Sequence, residues 1–383
     1  MKHLYIHIPF CHRRCSYCDF NTYANMESRI EAYVDALCAE LAMLAAGPQP
    51  PPALSPEAAA LRPTIFLGGG TPTMLTLAQM ERVLAAAAAL VPLEGAEITC
   101  EANPGTVLER DYLRGLRDLG VNRLSMGVQS LHDPTLRVLG RIHTAAEARR
   151  SFEDARAAGF ASISLDFIFG LPGQTLEQWE HTLETIVAWA PEHLSLYALI
   201  LEERTPLYAQ VTAGRVSVPD DDATAAMYEA AMARLGAAGY EHYEISNWTR
   251  GQPCHHNLAY WLNSDYLAAG AGAHGHIYPL RYCNILGIDE YIRAVQAGRR
   301  PIAETTALTL ADLEAETMMM GLRLSRGVGA EHFAARCGRS LEAAYGPVLR
   351  DLAARGLIEQ GAGRVRLTAR GRMLGNRVFE RFV

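Results

Sequence analysis

Cys11, Cys15 and Cys18 stand within eight positions as C-x3-C-x2-C. Thiolate sulfur is a soft ligand, and three thiolates on one short loop can converge on one soft metal centre. Structural zinc wants four ligands, usually as paired C-x2-C units. The remaining cysteines, Cys38, Cys100, Cys254, Cys283 and Cys337, are scattered and form no second pair. They read as small buried hydrophobes rather than ligands. Three ligands suit an iron–sulfur cubane with one iron left open, and the spacing favours that over a zinc knuckle.

Other residues able to meet a ligand recur at the ends of apolar runs. Gly68-Gly69-Gly70-Thr71-Pro72-Thr73 closes the second run. Its glycines let backbone approach a ligand closely, and no Lys-Ser/Thr pair follows, so it is not a Walker loop. Glu101 and Gln129 end two further runs, and Arg141 follows shortly after; each alone reads as a capping or surface residue. Asp166 lies inside an apolar run, where a carboxylate needs a partner or a hydrogen-bonding ligand. Tyr5 and Tyr17 flank the cysteines in sequence, and in isolation each reads as core.

These residues require a scaffold that brings strand ends together. The runs Leu4–Phe10, Thr64–Gly70, Glu97–Pro104, Arg123–Ser130, Ser162–Gly170 and His193–Ile200 read as buried parallel strands. Between them Arg29–Leu44, Leu77–Leu90, Ala145–Ala158 and Thr175–Trp189 read as amphipathic helices. Repeated βα units build a partial barrel or a doubly wound sheet, and spacing alone leaves both open. In a barrel, ligands gather at the C-terminal ends of the strands. Pro48, Pro50, Pro51, Pro52 and Pro56 crowd a stretch that reads as an exposed loop. Near the end, a helix over Leu341–Arg355, a strand over Arg364–Thr368 and a helix over Arg370–Phe382 read as a winged-helix-like α+β unit.

The chain has 383 residues, 35 Lys+Arg and 42 Asp+Glu. That length accommodates a catalytic-size domain and an accessory one. The net charge of -7 argues against general polyanion binding, so nucleic acid is not the expected partner. Arg336, Arg339, Arg350, Arg355, Arg364, Arg366, Arg370 and Arg372 still make the C-terminus locally basic. The apolar stretch Leu84 to Val91 is too short to span a bilayer, and the first residues do not read as a signal peptide. The expectation is a cytoplasmic protein with no transmembrane segment and free or metal-bound thiols. Peripheral membrane contact and a homodimer stay open.

The string YIHIPFCHRRCSYCDF resembles the cluster loop of radical S-adenosylmethionine enzymes. More narrowly, it resembles the family of oxygen-independent coproporphyrinogen III oxidase and its relatives. GGGTPT, the Gln129 strand and DFIFGLPGQT follow in that family's order. The resemblance implies a radical SAM partial (β/α)6 barrel over residues 1–240. It also implies a connecting segment over 241–300 and a smaller HemN-like C-terminal domain over 301–383. It places a 4Fe-4S cluster on Cys11, Cys15 and Cys18. S-adenosyl-L-methionine would then contact Tyr5, Tyr17, Gly69, Gly70, Thr71, Glu101, Gln129, Arg141 and Asp166. The match to the Asp strand favours a ribose contact for Asp166.

His256-Asn257-Leu258-Ala259-Tyr260-Trp261 resembles the HNxxYW hallmark of a heme-chaperone branch of that family. Leu367-Thr368 through Phe379 resembles the same branch. This implies heme as a further cofactor or cargo and heme-accepting proteins as partners, with His255 and His256 as candidate iron ligands and Cys254 as a third. The alternative is the oxidase itself, a coproporphyrinogen III dehydrogenase in porphyrin biosynthesis. The oxidase carries a fourth cysteine where this chain has Phe20, and an N-terminal arm for which the ten residues before Cys11 leave no room. Dehydrogenase activity is therefore not expected, although the S-adenosylmethionine site reads as intact.

Overall fold

The six apolar runs form strands, each alternating in character along its length. In the computed structural model, which describes residues 2–48, 55–105 and 109–383, they are β1 (His3–Ile8), β2 (Thr64–Gly69), β3 (Glu97–Ala102), β4 (Arg123–Gln129), β5 (Ser162–Phe169) and β6 (His193–Ala198). One face carries Leu4, Ile6, Ile65, Leu67, Ile98, Leu124, Met126, Leu165, Phe167, Leu194 and Leu196, all buried. The other carries His3, Tyr5, His7, Thr64, Glu97, Thr99, Glu101, Arg123, Ser125, Ser164, Asp166, His193 and Ser195. A period of two sends these sets to opposite sides. The expected burial among apolar neighbours therefore holds for one face only. The second face is polar and concave, the side on which a barrel holds ligand chemistry.

The strands run parallel in chain order, β1 to β6. A doubly wound sheet reverses direction at a switch point. Here every crossover advances the same way, so right-handed connections put the helices on one side, as in a barrel. The helices are α1 (Ile30–Ala46), α2 (Leu77–Ala87), α3 (Arg110–Asp118), α4 (Ala145–Ala157), α5 (Leu176–Trp189) and α6 (Asp221–Ala237). Their apolar residues, among them Leu37, Leu41, Val83, Leu116, Phe152, Trp179 and Ile186, join the strands' apolar face in one core. Capping boxes start three of them, at Thr76/Gln79, Thr144/Glu147 and Thr175/Gln178. Each satisfies two otherwise unpaired amides.

The segment expected as a connector completes the sheet. β7 (Glu241–Glu244) and β8 (Asn247–Thr249) add antiparallel strands beside β6. The helix α7 (His255–Trp261) follows, and β9 (Leu267–Ala269) pairs parallel with β1 at the other edge. β10 (His274–Ile277), β11 (Leu280–Asn284) and β12 (Ile302–Ala307) form a small antiparallel sheet.

The C-terminal unit has its own core, including Phe333, Leu349, Val365 and Val378. Its three strands are β13 (Val328–Gly329), β14 (Ile358–Gly361) and β15 (Arg364–Leu367), ordered β13-β15-β14. The expected final helix is two short ones, Ala369–Met373 and Gly375–Phe379, because Leu374 leaves helical geometry at ψ 29. Ion pairs join this unit to the rest: Arg336 with Asp265 at 2.6 Å and Arg364 with Glu57 at 2.8 Å. Of the loop expected from Pro48 to Pro56, Pro50, Pro51 and Pro52 lie outside the described residues, and Pro56 instead opens a short helix, Pro56–Ala59, capped by the Ser55 hydroxyl.

Candidate functional site

The cysteine loop leaves the C-terminal end of β1 and returns beside it, since Phe10–Cys11 pairs with Tyr23–Ala24. Ser16 fixes its middle: its amide and hydroxyl donate to the carbonyls of Leu139 and Val138. Tyr17 packs against Leu139, Ile168, Leu171 and Leu207. The Thr71 hydroxyl reaches Cys11 Sγ at 3.7 Å, and Arg141 Nη1 reaches Cys15 Sγ at 3.4 Å. Burial pushes the Cys11 thiol up to about 11 and raises Cys18 as well. Among the described residues no three His, Cys, Asp or Glu side chains are grouped tightly enough to hold a single ion. A cubane asks for a different arrangement, because each thiolate takes its own iron.

The glycine turn lies against this loop. Gly69 has φ +106, and a Cβ there would meet the His7 ring at 2.4 Å, so conformation and space both require glycine. The Gly70 and Thr71 amides donate to the Ile8 and Phe10 carbonyls at 2.8 and 2.7 Å. The Gly69 amide donates to Glu101 Oε2 at 3.0 Å. Asn103, which sequence reasoning missed, donates to the Thr71 hydroxyl at 2.6 Å and accepts from Arg141 Nη2 at 2.6 Å. Its position two residues past Glu101 was the available signal. A cleft opens here, lined by His12, Cys15, Thr71, Asn103, Arg141 and Ile142 among others. The buried Arg141 Nε has no partner.

Burial, then the nearby Asp166 charge, lifts the Glu101 carboxyl to about 7. A raised carboxyl binds more protons folded than unfolded between about 4.5 and 7, so stability falls as pH rises through that window. Glu101→Gln keeps an oxygen for Gly69 and removes the titration. Urea unfolding is expected to show wild type losing up to about 3 kcal/mol relative to this variant between those pH values. A constant difference would contradict the assignment.

Asp166 has the structural partners its burial demands. Ser125 Oγ donates to it at 3.1 Å and Ser164 Oγ also at 3.1 Å. Ser164 contacts His193 Nδ1 at 2.9 Å, and His193 Nε2 contacts the Tyr243 hydroxyl at 2.9 Å. Burial raises the Asp166 carboxyl above its usual range. Gln129 ends β4 at φ 74, where the strand slips register against β5. Tyr5, six residues before Cys11, belongs to β1. It lies mid-strand on the concave face, with its hydroxyl on His7 Nδ1 at 2.9 Å and its ring against Phe66.

The HNxxYW helix lies at the opposite end of the sheet, under the strand N-termini. Glu97, the first residue of β3, accepts from the His255 and His256 amides at 3.0 Å each. His256 is buried, with Nδ1 on Thr64 Oγ1 at 2.7 Å and Nε2 on the Tyr260 hydroxyl at 2.9 Å. Both ring nitrogens are engaged, so the iron-ligand role expected of His256 is corrected to a structural one. His255 Nδ1 accepts from the Arg62 amide at 3.2 Å. The Cys254 thiol is buried and faces Glu97 at 3.5 Å. Arg323, from near the C-terminal unit, sits over the Trp261 ring at 4.5 Å. The motif plugs the barrel floor and is remote from the cysteines.

The Radical SAM superfamily model matches residues 5–186, and the HemN C-terminal domain model matches residues 308–374. Heme chaperone HemW of Bacillus subtilis is 40% identical over 386 residues, covering 100% of this chain and 99% of that protein. Heme chaperone HemW of Escherichia coli is 36% identical, covering 99% of this chain and 97% of that one. The chain belongs to the HemW family. Escherichia coli coproporphyrinogen III oxidase (HemN), described as a radical SAM enzyme, superposes with a TM-score of 0.80 at 24% identity. It covers 99% of this chain and 89% of that one, a likeness of fold.

Membership in the HemW family, within the radical SAM superfamily, implies a 4Fe-4S cluster and S-adenosylmethionine. The residues present fit both. Three thiols share one anchored loop, a glycine cradle and the half-buried Glu101 carboxyl lie beside them, and the unpartnered Arg141 Nε offers a donor for an anionic group. Among the described residues no helix is long and apolar enough to cross a membrane.

Proposed function

We propose that this chain binds heme and hands it to acceptor proteins, with a 4Fe-4S cluster and S-adenosylmethionine bound at the top of its barrel. The observation that carries this reading is the likeness to HemW proteins along the entire chain, barrel and C-terminal unit alike. Cys11, Cys15 and Cys18 hold the cluster, and the Arg141 cation beside Cys15 offsets its charge. When bound, the cluster and S-adenosylmethionine supply one-electron chemistry.

The amides of Gly69, Gly70 and Thr71 are engaged within the protein, so this turn offers carbonyl oxygens to the ligand's ammonium. Glu101 supports that group, Arg141 takes the carboxylate and Asp166 takes ribose hydroxyls through acceptor sites its serines leave open. Gln129, turned by its positive φ, and Tyr17 complete the pocket. Residues 1–240 act as the barrel domain, 241–300 as the part that closes its edges and floor, and 301–383 as the HemN-like domain. The setting is cytoplasmic, and a homodimer is compatible with the assignment.

Asp166→Asn and Gln129→Ala are expected to weaken S-adenosylmethionine about tenfold each, about 1.4 kcal/mol, while iron content stays at wild type. Calorimetric titration checks this, and unchanged affinity in both would remove them from the site.

The competing oxidase reading is tested directly. Reconstituted protein given reductant and S-adenosylmethionine is expected to develop a Soret band with heme and to leave coproporphyrinogen III unconverted. The oxidase's fourth cysteine is here Phe20, a side chain without ligand chemistry. Catalytic formation of protoporphyrinogen IX would overturn the chaperone reading.

A further inference from the structure

We propose that His274, on the rim beside the cysteine loop, is the axial ligand that takes heme iron; this rests on the heme-binding reading above.

The histidines sort themselves by what their nitrogens do. Seven of the thirteen, including His7, His193 and His256, are buried. His242 has both nitrogens engaged, by Arg372 and the Ile245 carbonyl. Half-buried His255 spends Nδ1 on the Arg62 amide at the barrel floor. Exposed His132 contacts Thr135 through Nδ1, exposed His181 lies on the outer helix α5, and exposed His12 lies inside the cysteine loop. His274 is also exposed and faces Cys283 across β10 and β11.

That pairing prepares one nitrogen. The Cys283 thiol donates to the Asn284 carbonyl at 3.3 Å. Its sulfur is therefore free to accept from His274 Nε2–H, 3.3 Å away. The ring then presents Nδ1 as its open lone pair. A ligating histidine commonly donates its other N–H to a fixed acceptor, which sets both tautomer and ring orientation.

The surroundings suit a flat apolar ligand with an anionic edge. Phe20 is 68% exposed and Leu286 is 55% exposed. The Asn21 side chain ties these two stretches together, donating to the carbonyls of Ala271 and Leu286 at 3.0 and 3.1 Å. Exposed Arg14 lies against the Phe20 carbonyl at 3.4 Å, where its charge can meet a propionate. The strand carrying His274 leaves β9 through Gly270 and Gly272, which pack on His7 and Asn21. The heme so placed lies beside the loop that holds the cluster, at the end of the barrel opposite the HNxxYW helix.

The test is hemin titration of the full chain, read by affinity and by the Soret band. His274→Ala is expected to weaken hemin at least about tenfold and to shift the band, with the unfolding midpoint unchanged because the side chain is exposed. His274→Gly should regain the wild-type band when free imidazole is added. Cys283→Ser should bind with a perturbed band, and His181→Ala should match wild type. Wild-type affinity and spectrum in His274→Ala would overturn the inference while leaving the chaperone reading standing. So would a folded His274→Gly variant whose lost band imidazole does not restore. Failure of wild type to bind hemin would overturn both.

Discussion

Replacing Cys11, Cys15 and Cys18 together by alanine is expected to give a folded, colourless protein without cluster iron. The fold survives because the loop is anchored by other groups: Ser16 on Leu139 and Val138, the Leu207 amide on the Ser16 carbonyl, and Tyr17 in an apolar cluster. The cluster does not survive, because the loop itself carries only these three thiols. Cys100 is buried on the apolar face of β3, and Cys254 and Cys337 are buried elsewhere. S-adenosylmethionine affinity should fall at least about 100-fold, about 3 kcal/mol, since the open iron is one of its anchors. Cys337→Ser serves as control and should stay brown. Iron analysis and visible absorption decide the matter, and a full 4Fe-4S signal in the triple variant would refute the assignment.

The second large effect is on stability. Glu40, on α1, is a fully buried carboxylate that ties the strand following β9 to the core. It accepts from the Gly270 amide at 2.8 Å, from the Asn284 side chain at 2.6 Å and from the Tyr291 hydroxyl. Burial raises its carboxyl, and these donors oppose the rise. Glu40→Ala strands three buried donors. At about 1–3 kcal/mol each, the loss is of order 5 kcal/mol, comparable with the whole net stability of many domains. Glu40→Gln keeps one acceptor and should lose less. Urea unfolding midpoints measure both, and an alanine variant as stable as wild type would contradict this account.

Particular residues show how far the sequence could be read. Five of the six strands of the barrel begin at the residue where the apolar run begins, because Ile, Leu and Phe fill the helix-covered face. The cysteine spacing is legible, and Glu101 and Gln129 stand near the ends of their strands as the apolar runs placed them, while Asp166 lies mid-strand in β5. What escaped is set by partners distant in the chain. Arg123, Ser125 and Ser164 lie in runs that read as buried strands, and they line the concave face. Tyr5 reads as core in isolation, yet its contacts with His7 and Phe66 put it on the concave face. His256 invited a ligand reading until its contacts with Thr64 and Tyr260 were visible. His274 and Cys283 meet only because two strands pair, and nothing local to either announces it.

The pairing of β1 with β9 sets the order of assembly. Leu4 to Ile6 lie against Leu267 to Ala269, partners that leave the ribosome some 260 residues apart. Strands β1 to β6 can pair as they emerge, but one edge of β1 stays open until β9 arrives. The same late segment brings Gly270 to His7 and the Ala271 and Leu286 carbonyls to Asn21, so the cysteine loop acquires its last supports then. Contacts of such long sequence separation form slowly, and an unpaired edge strand invites association with other chains meanwhile. Truncated chains ending before Leu267 should aggregate through β1 rather than accumulate as a folded half-barrel.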